Sequence, residues 1–220
     1  VGELMREAGV TTAVSGYCIS SCSRMFLGGK QRVFTNDYPA DRTYVGFHGH
    51  YNEQGNLDPQ TVSRGGLYAW TLKYSDGKAD PALVKRWIAI EKNRGAANFF
   101  HPDVAPALGH SVFFCDGLQA QKVTNCEALG TNALERGVIT DERRVASPDQ
   151  ARKVRTPALT ADRARPAIAI LRLSNMSASA PAGTATSISG SIIAVCTKAT
   201  IPASPVCCVI SHAAPTPRIS

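Results

Sequence analysis

The sequence predicts an α/β domain, and three observations carry that expectation. Short β-branched runs stand at residues 10–14 and 31–35. Between them lies an apolar helical stretch that stops at Gly28-Gly29, and a further short strand follows at 44–48. Strand, helix, strand, strand at this spacing argues for parallel crossovers rather than hairpins. The 220 residues suffice for one domain with a sizeable core, with or without a tail.

The elements follow in order. Residues 2–9, GELMREAG, carry Leu4, Met5 and Ala8 on one face and read as the end of an amphipathic helix stopped by Gly9. Val10 to Val14 reads as a short buried strand broken by Gly16. Ser20 or Ser21 to about Leu27 reads as a helix, with the Gly28-Gly29 pair as its C-cap. Gln31 to Thr35 is the next strand, residues 37–42 form a turn around Pro39, and Tyr44 to His48 is a further strand. Residues 49–66, rich in Gly, Asn, Gln and Asp, read as a loop that shapes a cleft. Residues 67–75 and 81–93 read as helices. The second has a broad apolar face of Leu83, Val84, Trp87, Ile88 and Ile90 behind an Asp80-Pro81 start. Residues 99–114 are aromatic and interrupted by Pro102 and Pro106. A short helix from Asn132 to Arg136, closed by Gly137, precedes an extended Val138-Ile139-Thr140.

Composition divides the chain into a domain over 1–150 and a low-complexity Ala/Ser/Thr/Pro-rich tail over 151–220. Residues 157–220 contain no aromatic side chain, and Asp162 is their only acid. Aromatic side chains anchor cores, so this segment reads as a disordered tail. The apolar islands Ile192 to Val195 and Val206 to Ile210 could pair as strands, interrupted by Pro202 and Pro205. Net charge is +7, of which residues 1–156 contribute +3 and the remainder +4. Basic residues are diluted rather than clustered with aromatics, which argues against a nucleic-acid partner. No apolar run is long enough for a membrane-spanning helix. The start at Val1 shows no leader pattern. Seven cysteines are an odd count, and none of their spacings supplies four zinc ligands. This cysteine density leans towards an oxidising compartment.

The chemical signal is Gly16-Tyr17-Cys18-Ile19-Ser20-Ser21-Cys22, between a buried strand and an apolar helix. A serine on such a turn has its hydroxyl beside helix N–H groups that can stabilise an oxyanion. It needs a neighbouring base to act as a nucleophile. The commoner role of Ser20 or Ser21 there is to cap the helix. Cys18 and Cys22 read either as two small buried residues, which is favoured, or as a bridge stiffening the turn. Cys115 and Cys126 are a second possible bridge.

From Ala13 to His50 the chain resembles the ClpP/crotonase superfamily, with the periplasmic ClpP-like serine peptidases the nearest group. The text that carries the resemblance is AVSGYCISSCSRMFLGGKQR, then YVGFHGH, with ALERGVIT at 133–140 similar to the family's closing segment. The Cys-x-Ser-x-Cys turn matches the periplasmic group. The resemblance implies a ββα spiral fold, N-terminally truncated here, because the Gly-Gly oxyanion stretch would precede Val1. It places the nucleophile on Ser20 and the base on His48, 28 residues later, with His50 as a competitor on the same strand face. The position of the family's orienting aspartate falls on Asn125, with Asp116, Glu127 and Asp103 as alternatives if a gap intervenes. An asparagine fixes a tautomer without stabilising the imidazolium. The implied activity is peptide-bond hydrolysis without metal or organic cofactor, on peptide or protein substrates, in a homo-oligomer. The implied location is periplasmic or otherwise extracytoplasmic, with a cytoplasmic one as the alternative. Two other classes share the fold: an inactive domain that binds peptide or a partner, and acyl-thioester chemistry of the crotonase kind.

Overall fold

The computed structural model describes residues 1–119, 122–146, 169–171, 192–197 and 207–212. Helix α1 (Gly2–Glu7) leads into β1 (Thr11–Val14), and Gly16, at φ 71°, turns the chain into β2 (Tyr17–Ile19). Helix α2 (Ser21–Leu27) crosses to β3 (Gln31–Phe34), and β4 (Tyr44–Phe47) follows. β1 pairs in parallel with β3, and β2 in parallel with β4. Each consecutive strand pair therefore gives one strand to each of two sheets. The expected parallel crossovers are present. The strand β2 was not expected, because three residues between Gly16 and a helix start read as turn.

Three short helices follow: α3 (Pro59–Arg64), α4 (Gly66–Tyr74) and α5 (Pro81–Ile88). The first corrects the expectation of a loop throughout 49–66. Its start is set by Asp58, whose carboxylate accepts the Gln60 N–H, with Pro59 at the first helical position. α5 ends at Ile88 rather than near 93. The aromatic stretch resolves into β5 (Ala96–Phe100), a short helix α6 (Ala105–Leu108) and β6 (Val112–Cys115). β7 (Glu127–Leu129) completes a mixed sheet of order β2-β4-β5-β6-β7. Residues 132–136, expected as a helix, form turns. Among the described residues no helix is long and apolar enough to cross a membrane.

The expected disordered tail falls mostly outside the described residues. Within them it holds β8 (Ala169–Leu171), β9 (Ile192–Thr197) and β10 (Cys207–His212). β10 runs parallel to β1, and the first sheet has the order β3-β1-β10-β9-β8. The two apolar islands are thus β9 and β10, and Pro202 and Pro205 lie between them in sequence.

Strand alternation gives the second sheet two different faces. Cys18, Val45, Phe47, Phe99 and Val112 face helices α2, α4 and α5 in the main core. There Trp87 stacks on Phe47 at 5.1 Å and meets Phe99 edge-on at 6.0 Å. Burying each such ring contributes on the order of 2 kcal/mol. The other face carries Tyr17, Ile19, Tyr44, Asn98, Phe100 and Cys115, and it lines a cleft.

Arg32 on β3 has a fully buried side chain. Its Nε donates to the Val138 carbonyl, its Nη1 to that of Gly29, and its Nη2 to that of Gly137 and to Asp76 Oδ2 at 2.7 Å. Asp76, in the turn between α4 and α5, also receives Arg6 of α1 at 2.7 Å. Gly137 is required where it stands: φ is 64°, and a Cβ would lie 2.1 Å from the Ser75 carbonyl oxygen. Burial alone would raise the Asp76 carboxyl. The hydrogen bonds from Arg32 and Arg6 outweigh it and hold that carboxyl below its ordinary range. Its folded pKa is lowered, so the stability it contributes is present above the unfolded value near 4 and is lost as pH falls through the folded one.

Arg32→Met should lower unfolding free energy by about 3 kcal/mol or more, because it orphans three buried carbonyls and leaves Asp76 with Arg6 alone. Urea unfolding followed by circular dichroism measures this. The same titration below about pH 4 should show an acid-induced loss that Asp76→Asn removes.

Candidate functional site

The site is built where the parallel pair β2 and β4 ends. The register Ile19↔Gly46 sets Ser20 beside Gly46, and the Ser20 N–H donates to the Gly46 carbonyl at 3.2 Å. Gly46 permits this approach: a Cβ there would come within 3.0 Å of Ile19 Cγ1 and of Asn98 Oδ1. Ser20 has φ 64° and ψ −123°. Among the described residues only Asp76 is another non-glycine residue at positive φ. Such a conformation costs on the order of 1–3 kcal/mol and persists only where the surroundings impose it.

What imposes it is on both sides of the serine. Cys18 and Cys22 form a disulfide with Cα atoms 5.2 Å apart, closing a five-residue loop around Ser20. This corrects the favoured reading of two separate buried thiols. Both residues are wholly buried in the main core. The second bridge, Cys115–Cys126, is also present. Ser20 stands at the N-cap position of α2, yet its side chain makes no capping hydrogen bond. The commoner capping role is therefore not what holds this serine. Ser23 takes up the Ser20 carbonyl instead, at 2.6 Å.

His48 lies one residue past the end of β4, on the cleft side, and helps line the cleft. Ile19 also lines it, whereas Ser20 does not. No hydrogen bond joins Ser20 to His48. His48 Nδ1 sits 2.6 Å from the Gly49 carbonyl. A carbonyl only accepts, so Nδ1 carries the proton and Nε2 keeps its lone pair, the tautomer a general base requires. Burial pushes the His48 pKa down, the carbonyl bond opposes this, and the Arg24 guanidinium lowers it further. Arg24 of α2 lies close, with Nη2 3.5 Å from the His48 carbonyl. Burial lowers its own pKa to about 10.

The remaining expected residues separate from this pair. Asn125 lies on an exposed turn just before β7, and its side chain makes no hydrogen bond to His48. The Cys115–Cys126 bridge ties that turn to β6, two strands from β4 and so ~10 Å away. The alternatives are engaged elsewhere. Glu127 pairs with Arg86, Asp103 has an exposed carboxylate and its backbone N–H donates to His101 Nδ1, and Asp116 accepts the Leu118 N–H. His50, two residues from His48, contacts Thr61 at 3.2 Å, and Thr61 donates to Asp58. His101 is buried against the Glu142 carbonyl and serves the fold.

Asn98 is the polar residue of the cleft that sequence reasoning missed. It faces Gly46 across β4 and β5, 9% exposed, and donates weakly to the Ala96 carbonyl and to Cys115 Sγ, both at 3.4 Å. Its signal in the sequence is a single polar residue inside the apolar run Ala96 to Phe100. Among the described residues no three His, Cys, Asp or Glu side chains cluster as metal ligands would. Comparison with family models, with curated proteins and with solved structures returns no match for this chain. Fold and site together define a mixed α/β domain with a strained serine and a neutral histidine at the ends of adjacent parallel strands.

The Ser20 backbone predicts its own test. Glycine adopts φ 64° without the Cβ penalty, so Ser20→Gly should be about 1 kcal/mol more stable than Ser20→Ala. Urea midpoints of the two variants measure this, and equal midpoints would contradict the turn geometry.

Proposed function

We propose that this domain is a serine hydrolase of the ClpP-like peptidase type, with Ser20 as nucleophile and His48 as base. The observation that carries the reading is the positive-φ Ser20, held between a disulfide and a parallel neighbour strand, with a hydroxyl that caps nothing. A serine in this conformation on a strand-to-helix turn is a recurrent nucleophile arrangement. The split of each strand pair between two sheets supports the ββα spiral, though it does not by itself specify chemistry.

In this mechanism Ser20 Oγ attacks a peptide carbonyl carbon while His48 Nε2 takes the hydroxyl proton. The C–N bond then breaks, and the same proton goes to the leaving amine. Water, deprotonated by His48, hydrolyses the acyl-serine and restores both residues. The Ser21 N–H at the start of α2 is one donor for the oxyanion. Substrate binding must bring Oγ and Nε2 into contact, since they are not hydrogen-bonded without it.

A second reading has one observation in its favour. His48 is oriented by a backbone carbonyl rather than by a carboxylate or by Asn125. A domain that binds peptide without cleaving it would need no more than that.

A fluorophosphonate probe on the full chain separates the two. Under the hydrolase reading Ser20 is labelled, Ser20→Ala is not, and His48→Ala reacts about 10²–10⁴-fold more slowly. Only neutral His48 accepts a proton, and its pKa is lowered. The labelling rate should therefore rise with pH through a midpoint below the ordinary histidine value near 6.5. Absence of labelling at any pH would leave the binding domain.

A further inference from the structure

The cleft of about 880 Å³ beside His48 has a distinctive charge pattern. Its charged lining residues are Arg42, Arg94, Lys122 and a single carboxylate, Asp41. Elsewhere among the described residues the arginine side chains are engaged. Arg6 and Arg32 hold Asp76, Arg86 holds Glu127, Arg143 holds Asp141, and Arg24, Arg64, Arg136 and Arg144 bond to carbonyl, amide or hydroxyl oxygens. Arg42 and Arg94 are the two whose side chains make no hydrogen bond or ion pair, and both face this cleft. Both are exposed, so neither is held there by packing.

The cleft floor is apolar and aromatic. The Tyr44 ring lies 6.2 Å from that of Tyr17 and 4.9 Å from that of Phe100, a row across three strands. Tyr38 at 44% exposure and Leu118 at 75% also line it, two of the few large hydrophobic side chains left open to water. A cleft of this volume accommodates several peptide residues. Unpaired guanidinium groups above an aromatic floor match a ligand with carboxylates flanking a flat or bulky apolar group.

We propose that this cleft selects acidic peptide segments containing an aromatic residue, with that ring over Tyr44 and its flanking carboxylates on Arg42, Arg94 and Lys122. The proposal rests on the reading of Ser20 and His48 as the reacting pair, of which His48 lines this cleft, and names its substrate class. A single-stranded nucleic acid also combines anions with stacking faces. The peptide is favoured because the aromatic row lies within the sheet face as a floor and the basic residues are spread along the sequence rather than clustered with aromatics.

The test uses fluorescence anisotropy on the full chain carrying Ser20→Ala, so that peptide is not consumed. The probes are fluorescein-labelled Asp-Glu-Phe-Ala-Asp-Glu, its Asn/Gln counterpart and a Lys-Lys-Phe-Ala-Lys-Lys peptide. The acidic probe should bind about tenfold or more tightly than the neutral one, with roughly a threefold loss for each of Arg42→Gln and Arg94→Gln. Arg42→Glu combined with Arg94→Glu should reverse the order in favour of the lysine peptide. Raising salt from about 50 to about 500 mM should weaken the acidic probe and spare the neutral one, a readout that needs no variant. Equal binding of acidic and neutral probes, no binding of either, or displacement of the acidic probe by an equimolar octathymidylate would overturn the proposal. Fluorophosphonate labelling of the unaltered chain runs in parallel. Labelling without acidic preference removes this inference alone. Acidic preference without labelling leaves the ligand in place and removes the catalytic reading.

Discussion

The buried guanidinium of Arg32 is the join on which the rest of the architecture depends. One side chain on β3 reaches the end of α2 through Gly29, the turn between α4 and α5 through Asp76, and the segment after β7 through Gly137 and Val138. These segments come from distant parts of the chain and share no strand pairing with one another. A charge this deep adds little net stability compared with a well-packed apolar group. Once present, however, its partners cannot be removed cheaply. It therefore acts chiefly to specify which turn packs against which strand. Backbone bonds reinforce the choice, since the Thr140 N–H donates to the Arg32 carbonyl and the Val145 N–H to that of Phe34.

That join bears on the site through strand splitting. With β3 fixed in the first sheet, the chain must return to the second sheet as β4, beside β2. The parallel register then brings the residue after β2 and the residue after β4 to the same end of the sheet. Ser20 and His48 occupy those places because of topology, not because of a direct bond between them. The local constraint is the narrow approach at Gly46 together with the Cys18–Cys22 loop. A serine at ordinary φ would suit α2 as a cap, so the strain concentrates at the residue proposed as the nucleophile.

Much of this was legible in the sequence where local signals agree with tertiary context. The three longer strands of the serine-to-histidine block, α2 with its glycine end and α5 with its Asp80 cap all lie close to their expected positions. Asp80 caps as read, accepting the Ala82 N–H at 2.8 Å. The misses have physical causes. β2 is three residues long, too short to show alternation, and is made a strand by pairing with β4. α3 begins inside a polar stretch, and its helical signal is one cap and one proline. Residues 132–136 carry helix-forming residues, but Gly137 and the pull of Val138 towards Arg32 leave only turns. Asn125 is the position that the resemblance implies, and the motifs that carry it say nothing of the Cys115–Cys126 bridge that ties this turn to β6. The cleft's cations were invisible for a different reason: sequence charge counts do not distinguish a paired arginine from an unpaired one.

The orientation of His48 sets what chemistry the pair can sustain. In a triad with a carboxylate, the anion fixes the tautomer and also stabilises the imidazolium that forms when the serine proton is taken. The Gly49 carbonyl fixes the tautomer equally well, but it offers only a dipole. Arg24 then works against the charged imidazole, and burial does so more strongly. The two effects keep His48 neutral and ready as a base over a wide pH range, while making proton uptake less favourable in the transition state. Losing the carboxylate together with the tautomer it fixes costs a serine triad about 10⁴ in turnover, and a site that keeps the tautomer loses only the part due to the missing charge. A site of this kind would therefore acylate readily only with an activated acyl or phosphonyl donor, and with unactivated peptides it would turn over slowly. On the proposed reading, retention of an acidic peptide by Arg42 and Arg94 would suit such a site, because a long residence gives a slow step more time before the peptide leaves.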